Sequence, residues 1–170
     1  MTDPVYTATA LSLAARQPGA GAVVFWHTGG MLDVVAVGSG GTLAGLAAGN
    51  AALGGPWTLA GASASRPPAE MSRRVLGLAT DCLALLGSPA VVSAAGIEVA
   101  DVRGAGHGLP SPEGADAAAQ AARTEGLMTD PVYTAKALSL VARQQAAEPV
   151  VFWHTGGMLD VVAAAQDVAR

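Results

Sequence analysis

The stretch "DVVAVGSGGTLAGLAAGNAALGG", Asp33 to Gly55, constrains the fold of this chain more than any other. A β-branched run feeds a glycine-rich loop, and the loop opens directly into an Ala/Leu-rich helix. A strand that hands over to a helix so quickly is not one arm of a hairpin. It predicts a crossover, in which the helix packs on the sheet and the next strand runs parallel to the first. The alternation then continues. "WTLAGASAS" predicts a strand. "PPAEMSRRVLGLATDCLALLG" predicts a helix with Pro at its start and Gly87 at its end. "GIEVADVRG" predicts a shorter strand, "GAGHGLPSP" a loop and "EGADAAAQAARTEG" a helix. The expectation is an α/β fold in three layers around a mostly parallel sheet, with no internal domain boundary.

A second feature is a repeat. Residues 1–37 return, nearly unchanged, as residues 128–164; seven of the thirty-seven positions differ. Most differences fall in the connector, Pro18–Ala22 against Gln145–Pro149. Solenoid units stack as adjacent copies, but here ninety unrelated residues separate the two. Each copy reads as helix, loop, strand and glycine turn. Asp130 can cap the helix of the second copy, Pro131 suits its first position, and the helix should run to about Arg143. "PVVFW" suits a buried strand, and the paired glycines of "HTGG" suit a sharp turn.

Composition narrows the function classes. The net charge of −4 and the scattered basic residues give no nucleic-acid surface. Glycine and charged residues interrupt the apolar front half before any span reaches membrane length, and no signal peptide is visible at the N-terminus. The single cysteine, Cys82, excludes an internal disulfide framework and points to a reducing, cytoplasmic setting. No cluster of ligands suggests a metal. The charge-poor front half should be buried in the fold or against a partner.

The chemistry concentrates in the glycine loop. Gly38, Gly40 and Gly41 let backbone N–H groups approach an anion, Ser39 and Thr42 add hydroxyls, and the helix start adds a favourable dipole. The loop lacks the Lys-Ser/Thr ending of a P-loop and the spacing of a dinucleotide fingerprint. A plain strand-to-helix turn and a phosphate cradle both remain open on the local pattern.

Four stretches together carry a resemblance: "VVAVGSGGTLAG", "GAGHGLPSPEG", "ARTEGLMTDPVYTAKAL" and "FWHTGG". They resemble the C-terminal half of the D-cysteine desulfhydrase and 1-aminocyclopropane-1-carboxylate deaminase family, from Leu32 to about Gly157. These are pyridoxal-phosphate enzymes of the tryptophan-synthase-β-like fold (fold type II). The resemblance implies that Gly38–Thr42 holds the cofactor phosphate. It implies that Thr134 of "PVYT" and Thr155 of "HTGG" lie near the pyridine ring, and that Tyr133 faces the substrate as an acid or base. The deaminase branch resembles "PVYEGK" and "HLGG", with a carboxylate near the ring nitrogen. Threonine at both places is like the desulfhydrase branch and suits β-elimination of D-cysteine to pyruvate, sulfide and ammonia. His107 stands where the family usually shows the tyrosine of "GYGLP", which is a departure. His154 reads as structural. By residues alone, Tyr133 would be a core-facing ring on an amphipathic helix.

The family's Schiff-base lysine belongs to a motif like "GGNKTRK", and none is found in these 170 residues. The serine–asparagine loop for the substrate carboxylate is not found either. The lone lysine, Lys136, matches a family lysine that is not the Schiff-base residue. Residues 1–37 are read as a duplicated helix–strand segment, and residues 38–170 as the cofactor-binding lobe that includes the second copy (128–164). Three functions follow as expectations. The chain is a truncated, rearranged relative of a D-cysteine desulfhydrase that binds pyridoxal 5′-phosphate without covalent attachment and is inactive alone. Alternatively it is an active lyase or deaminase on a small amino acid, completed by a separate half. Alternatively it is a non-catalytic module, as a homo-oligomer or docked on a full-length homologue.

Overall fold

A computed structural model of the chain describes residues 33–37, 39–55, 57–143 and 150–154. Its elements run β1 (Asp33–Val37), α1 (Gly41–Ala52), β2 (Thr58–Ser63), α2 (Pro68–Leu85), a 3-10 turn (Ala94–Gly96), β3 (Ile97–Asp101), α3 (Pro112–Glu125), α4 (Thr134–Arg143) and β4 (Val150–Trp153). The strands form one sheet in the order β3-β2-β1-β4. Every pairing is parallel: Asp33 opposes Thr58 and Val150, and Leu59 opposes Ile97. The predicted alternation and strand direction are both present.

Side chains alternate across the sheet because the strand period is two. Leu59 of β2 joins one core cluster; Ala60, Ala62 and Ala64 join the other. On β4, Val151 and Trp153 pack on the first cluster, and Val150 and Phe152 on the second. Helices α1 and α2 complete the first cluster and α4 completes the second, with α3 packed on α4. The result is three layers, helix, sheet and helix.

Local sequence explains each helix. Met71, Val75, Ala79 and Leu83 recur every fourth residue on α2 and form its buried stripe. Burying one such Val or Leu stabilises the fold by about 1.5–3 kcal/mol. On α1 the stripe is mostly alanine, so the helix lies close to the sheet. That approach needs Gly61 on β2, where any Cβ would collide with Leu43 Cδ2. Asn50 closes the α1–β2 connection: its amide donates to Trp57 O at 2.8 Å, and Trp57 N–H returns to Oδ1 at 3.1 Å. Ser111 caps α3 through Gly114 N–H at 3.1 Å.

The start of α4 differs from expectation. Helical geometry begins at Thr134, and Pro131–Tyr133 form a turn. Asp130 does cap, with more bonds than one cap needs. Its carboxylate accepts N–H bonds from Val132 (3.0 Å), Tyr133 (2.6 Å) and Thr134 (2.8 Å). Ala135 N–H then reaches back five residues to Asp130 O, at 2.9 Å. This wide first turn delays the regular helix.

Both copies of the repeat contribute a described strand. The strand beside β1 comes from the second copy, Val150–Trp153, while β1 is the tail of the first copy. Residues 1–32, and with them the remainder of the first copy, lie outside the described residues.

Candidate active site

The sheet order positions the site. From β1 the chain moves by α1 to β2 on one side, whereas β4 arrives on the other side of β1. The carboxyl ends of β1 and β4 therefore flank a topological switch point, where open α/β sheets form their binding crevice. The glycine loop follows β1. "HTGG" follows β4, beginning at His154. Thr155 and Gly38 lie outside the described residues.

Within the loop, Gly40 is buried and has φ 97°, a left-handed backbone that favours glycine. A Cβ there would also stand 3.1 Å from Met71 Sδ. Gly41 opens α1 with nothing within 4 Å of a Cβ, so its outer face is clear. No side chain caps α1 and no acid lies in its first turn. The first intrahelical bond runs from Ala44 N–H to Gly40 O at 2.9 Å, so the N–H groups before it have no partner in the helix. Arg74 of α2 adds a cation: its Nε donates to Ser39 O at 3.0 Å. Ser39 is exposed and Thr42 half-buried. An electropositive, glycine-lined helix start fits a phosphate. Arg74 escapes sequence reasoning because it sits thirty-five residues from Ser39 on an ordinary amphipathic helix.

The second group stands at the same carboxyl edge, where the loop after β3 meets the start of α4. The exposed His107 ring lies 5.9 Å from the Tyr133 ring, tilted by 58°. Tyr133 is half-buried and packs on the second core cluster. Its packing matches the reading from residues alone, a core-facing ring, and the His107 ring is its neighbour. Thr134 is buried, and its N–H is held by Asp130. Beside it, Thr129 Oγ1 is buried and has no hydrogen-bond partner among the described residues. His154 Nε2 lies 3.2 Å from Met128 O and its ring packs edge-on to Phe152, which ties β4 to the approach to α4.

Lys136 lies six residues after the capping Asp130, in the first turn of α4, and is fully buried. Its Nζ donates to Arg103 O at 2.7 Å and Gly106 O at 3.1 Å. Burial holds its pKa below the usual lysine value. A nucleophilic lysine needs a free, neutral amine, and here both described bonds use the amine as a donor to the backbone. Close packing of α3 makes this burial possible: a Cβ on Gly114 would stand 3.1 Å from Lys136 N. Among the described residues, no group of three or more His, Cys, Asp or Glu could hold a metal ion. No described helix is long and apolar enough to cross a membrane. Cys82 is half-buried on α2 and packs on the first core cluster.

A parallel sheet with a glycine-rich loop and helix start at its switch point, and a Tyr–His pair at the same carboxyl edge, fits a fold-type-II cofactor domain. The pyridoxal-phosphate dependent enzyme family matches residues 24–156, and the chain belongs to that family. The chain is similar to D-cysteine desulfhydrases. It is 39% identical over 131 residues to the D-cysteine desulfhydrase of Salmonella paratyphi C (strain RKS4594), covering 73% of this chain and 39% of that protein. It is 38% identical to the D-cysteine desulfhydrase of Salmonella typhi, with the same coverage. Among solved structures, an ACC deaminase homologue superposes with a TM-score of 0.68 at 29% identity, covering 84% of this chain and 45% of that one. The chain thus spans about two fifths of the length of the curated relatives it matches. The implied cofactor is pyridoxal phosphate.

Proposed function

We propose that this chain is the phosphate-binding lobe of a D-cysteine desulfhydrase-type pyridoxal-phosphate lyase and that, by itself, it catalyses no turnover. One observation carries the reading: the only lysine in 170 residues is buried, with its ammonium bonded to two carbonyls. The described site therefore offers no lysine amine to the cofactor. The loop Gly38–Thr42 binds the cofactor phosphate through backbone N–H groups, helped by the charge of Arg74. Thr134 and Thr155 present neutral hydroxyls toward the ring. Tyr133 and His107 hold or move a proton beside the substrate, a small amino acid such as D-cysteine. When bound, the cofactor supplies an electron sink for the substrate's α-carbon. The lobe comprises residues 38–170 together with β1, and the second copy of the repeat serves as its native segment. A cytoplasmic location accompanies this reading.

The test is cofactor binding by the purified chain. Pyridoxal phosphate should bind reversibly, compete with inorganic phosphate, and be lost in Gly40→Asp. After borohydride treatment, mass spectrometry should find no cofactor on Lys136. A visible band that survives desalting and disappears in Lys136→Ala overturns the reading. A second reading, an active lyase completed by a lysine-bearing half, draws on the likeness of this lobe to full-length relatives. Pyruvate and sulfide released from D-cysteine only when such a half is added would favour it.

A further inference from the structure

Lysine is almost never fully buried unless it is paired, yet among the described residues no carboxylate forms an ion pair with Lys136. Its partners are two carbonyls of the loop that follows β3. That loop, "RGAGHG", has three left-handed glycines: Gly104 (φ 60°), Gly106 (φ 148°) and Gly108 (φ 77°). Such a backbone has many conformations to lose, and its own sequence selects none of them. Three ties hold it. Arg103 pairs with Asp101 through two bonds of 2.9 and 2.7 Å. Gly106 N–H closes a turn onto Arg103 O at 3.2 Å. The Lys136 ammonium is the tie that crosses to α4. His107 follows immediately after Gly106, and its ring partner Tyr133 precedes Lys136 by three residues, so the clamp brackets the pair.

We propose that Lys136 is a positioning residue: its buried ammonium clamps the glycine loop at Arg103 and Gly106 and thereby fixes His107 against Tyr133. The repeat supports the assignment. The first copy keeps Asp3, Tyr6 and Thr7 but has Thr9 where the second has Lys136. A threonine has no ammonium, so the sequence of the first copy lacks the group that makes the clamp. The clamp is independent of cofactor binding. Failure of pyridoxal phosphate to bind would overturn the function proposed above and leave the clamp standing.

The measurement is the ring-proton resonance of His107, assigned with His107→Asn. In the wild-type chain the neighbouring Tyr133 ring displaces this resonance. Lys136→Met, which keeps the apolar stem and removes the donors, should move it to its position in Tyr133→Leu. Lys136→Arg should restore most of the wild-type shift, because a guanidinium can donate to both carbonyls. An unmoved His107 resonance in a folded Lys136→Met chain overturns the proposal. Should that variant not fold, the wild-type chain still decides. The Gly106 amide should exchange at least about tenfold slower than an unstructured peptide. Exchange at the unstructured rate overturns the clamp.

Discussion

Gly40 and Lys136 do opposite things with the same backbone chemistry. Gly40 leaves N–H groups open at the head of α1, whereas Lys136 saturates carbonyls of the loop after β3. Gly40→Ala places a side chain in a left-handed backbone beside Met71. It should cost about 1–2 kcal/mol, read as a lower urea midpoint with an unchanged slope. Asp130→Ala removes the acceptor of three N–H groups in a buried position. A loss of about 2 kcal/mol is expected, read as a lower urea midpoint. The lowered pKa of Lys136 has a pH consequence with a definite sign. Between that lowered value and the ordinary lysine value of 10.5, the unfolded chain binds more protons than the folded one. Stability attributable to this group should therefore rise with pH across that window. The sole lysine can be labelled at Cε and followed by NMR as one signal, which should titrate below free lysine. The cap and the glycine loop were readable because each is a local pattern. The Lys136 acceptors and Arg74 were not, because each partner lies thirty or more residues away.

Among the elements, α1 and β2 are matched to each other more than to their own propensities. Glycine weakens a strand interior, yet Gly61 is the position that admits Leu43. Gly61→Ala should destabilise by about 1–3 kcal/mol through overpacking. Combined with Leu43→Ala, its added cost should shrink well below that of the single variant, because the colliding methyl is gone; a double-mutant cycle in urea measures the coupling. Helices α2 and α3 and the Pro start of α2 were plain in the sequence, whereas Pro112, expected in the loop, opens α3. The start of α4 was displaced because Asp130 binds three successive N–H groups and widens the first turn. No periodicity argument contains that geometry.

At the scale of the molecule, α1 and α2 both run away from the site, so their C-termini share the opposite end of the helical layer. Leu53, Leu85 and Leu86 are exposed there, Leu85 at 89%. Replacing Leu85 and Leu86 together by lysine should change the melting temperature little, because both side chains are mostly exposed. It should lower concentration-dependent light scattering by removing apolar surface. The βα alternation, the Asp130 cap, the glycine loop and the family motifs were all present in the order of residues, because each rests on short-range sterics and hydrogen bonding. The order β3-β2-β1-β4 was not. Nor was the choice of the second Val-Val-Phe-Trp as the neighbour of β1, since two nearly identical segments offer the same local propensities. That choice and the meeting of His107 with Tyr133 depend on long-range packing. A buried ammonium and a strand edge each find partners only once the sheet has assembled.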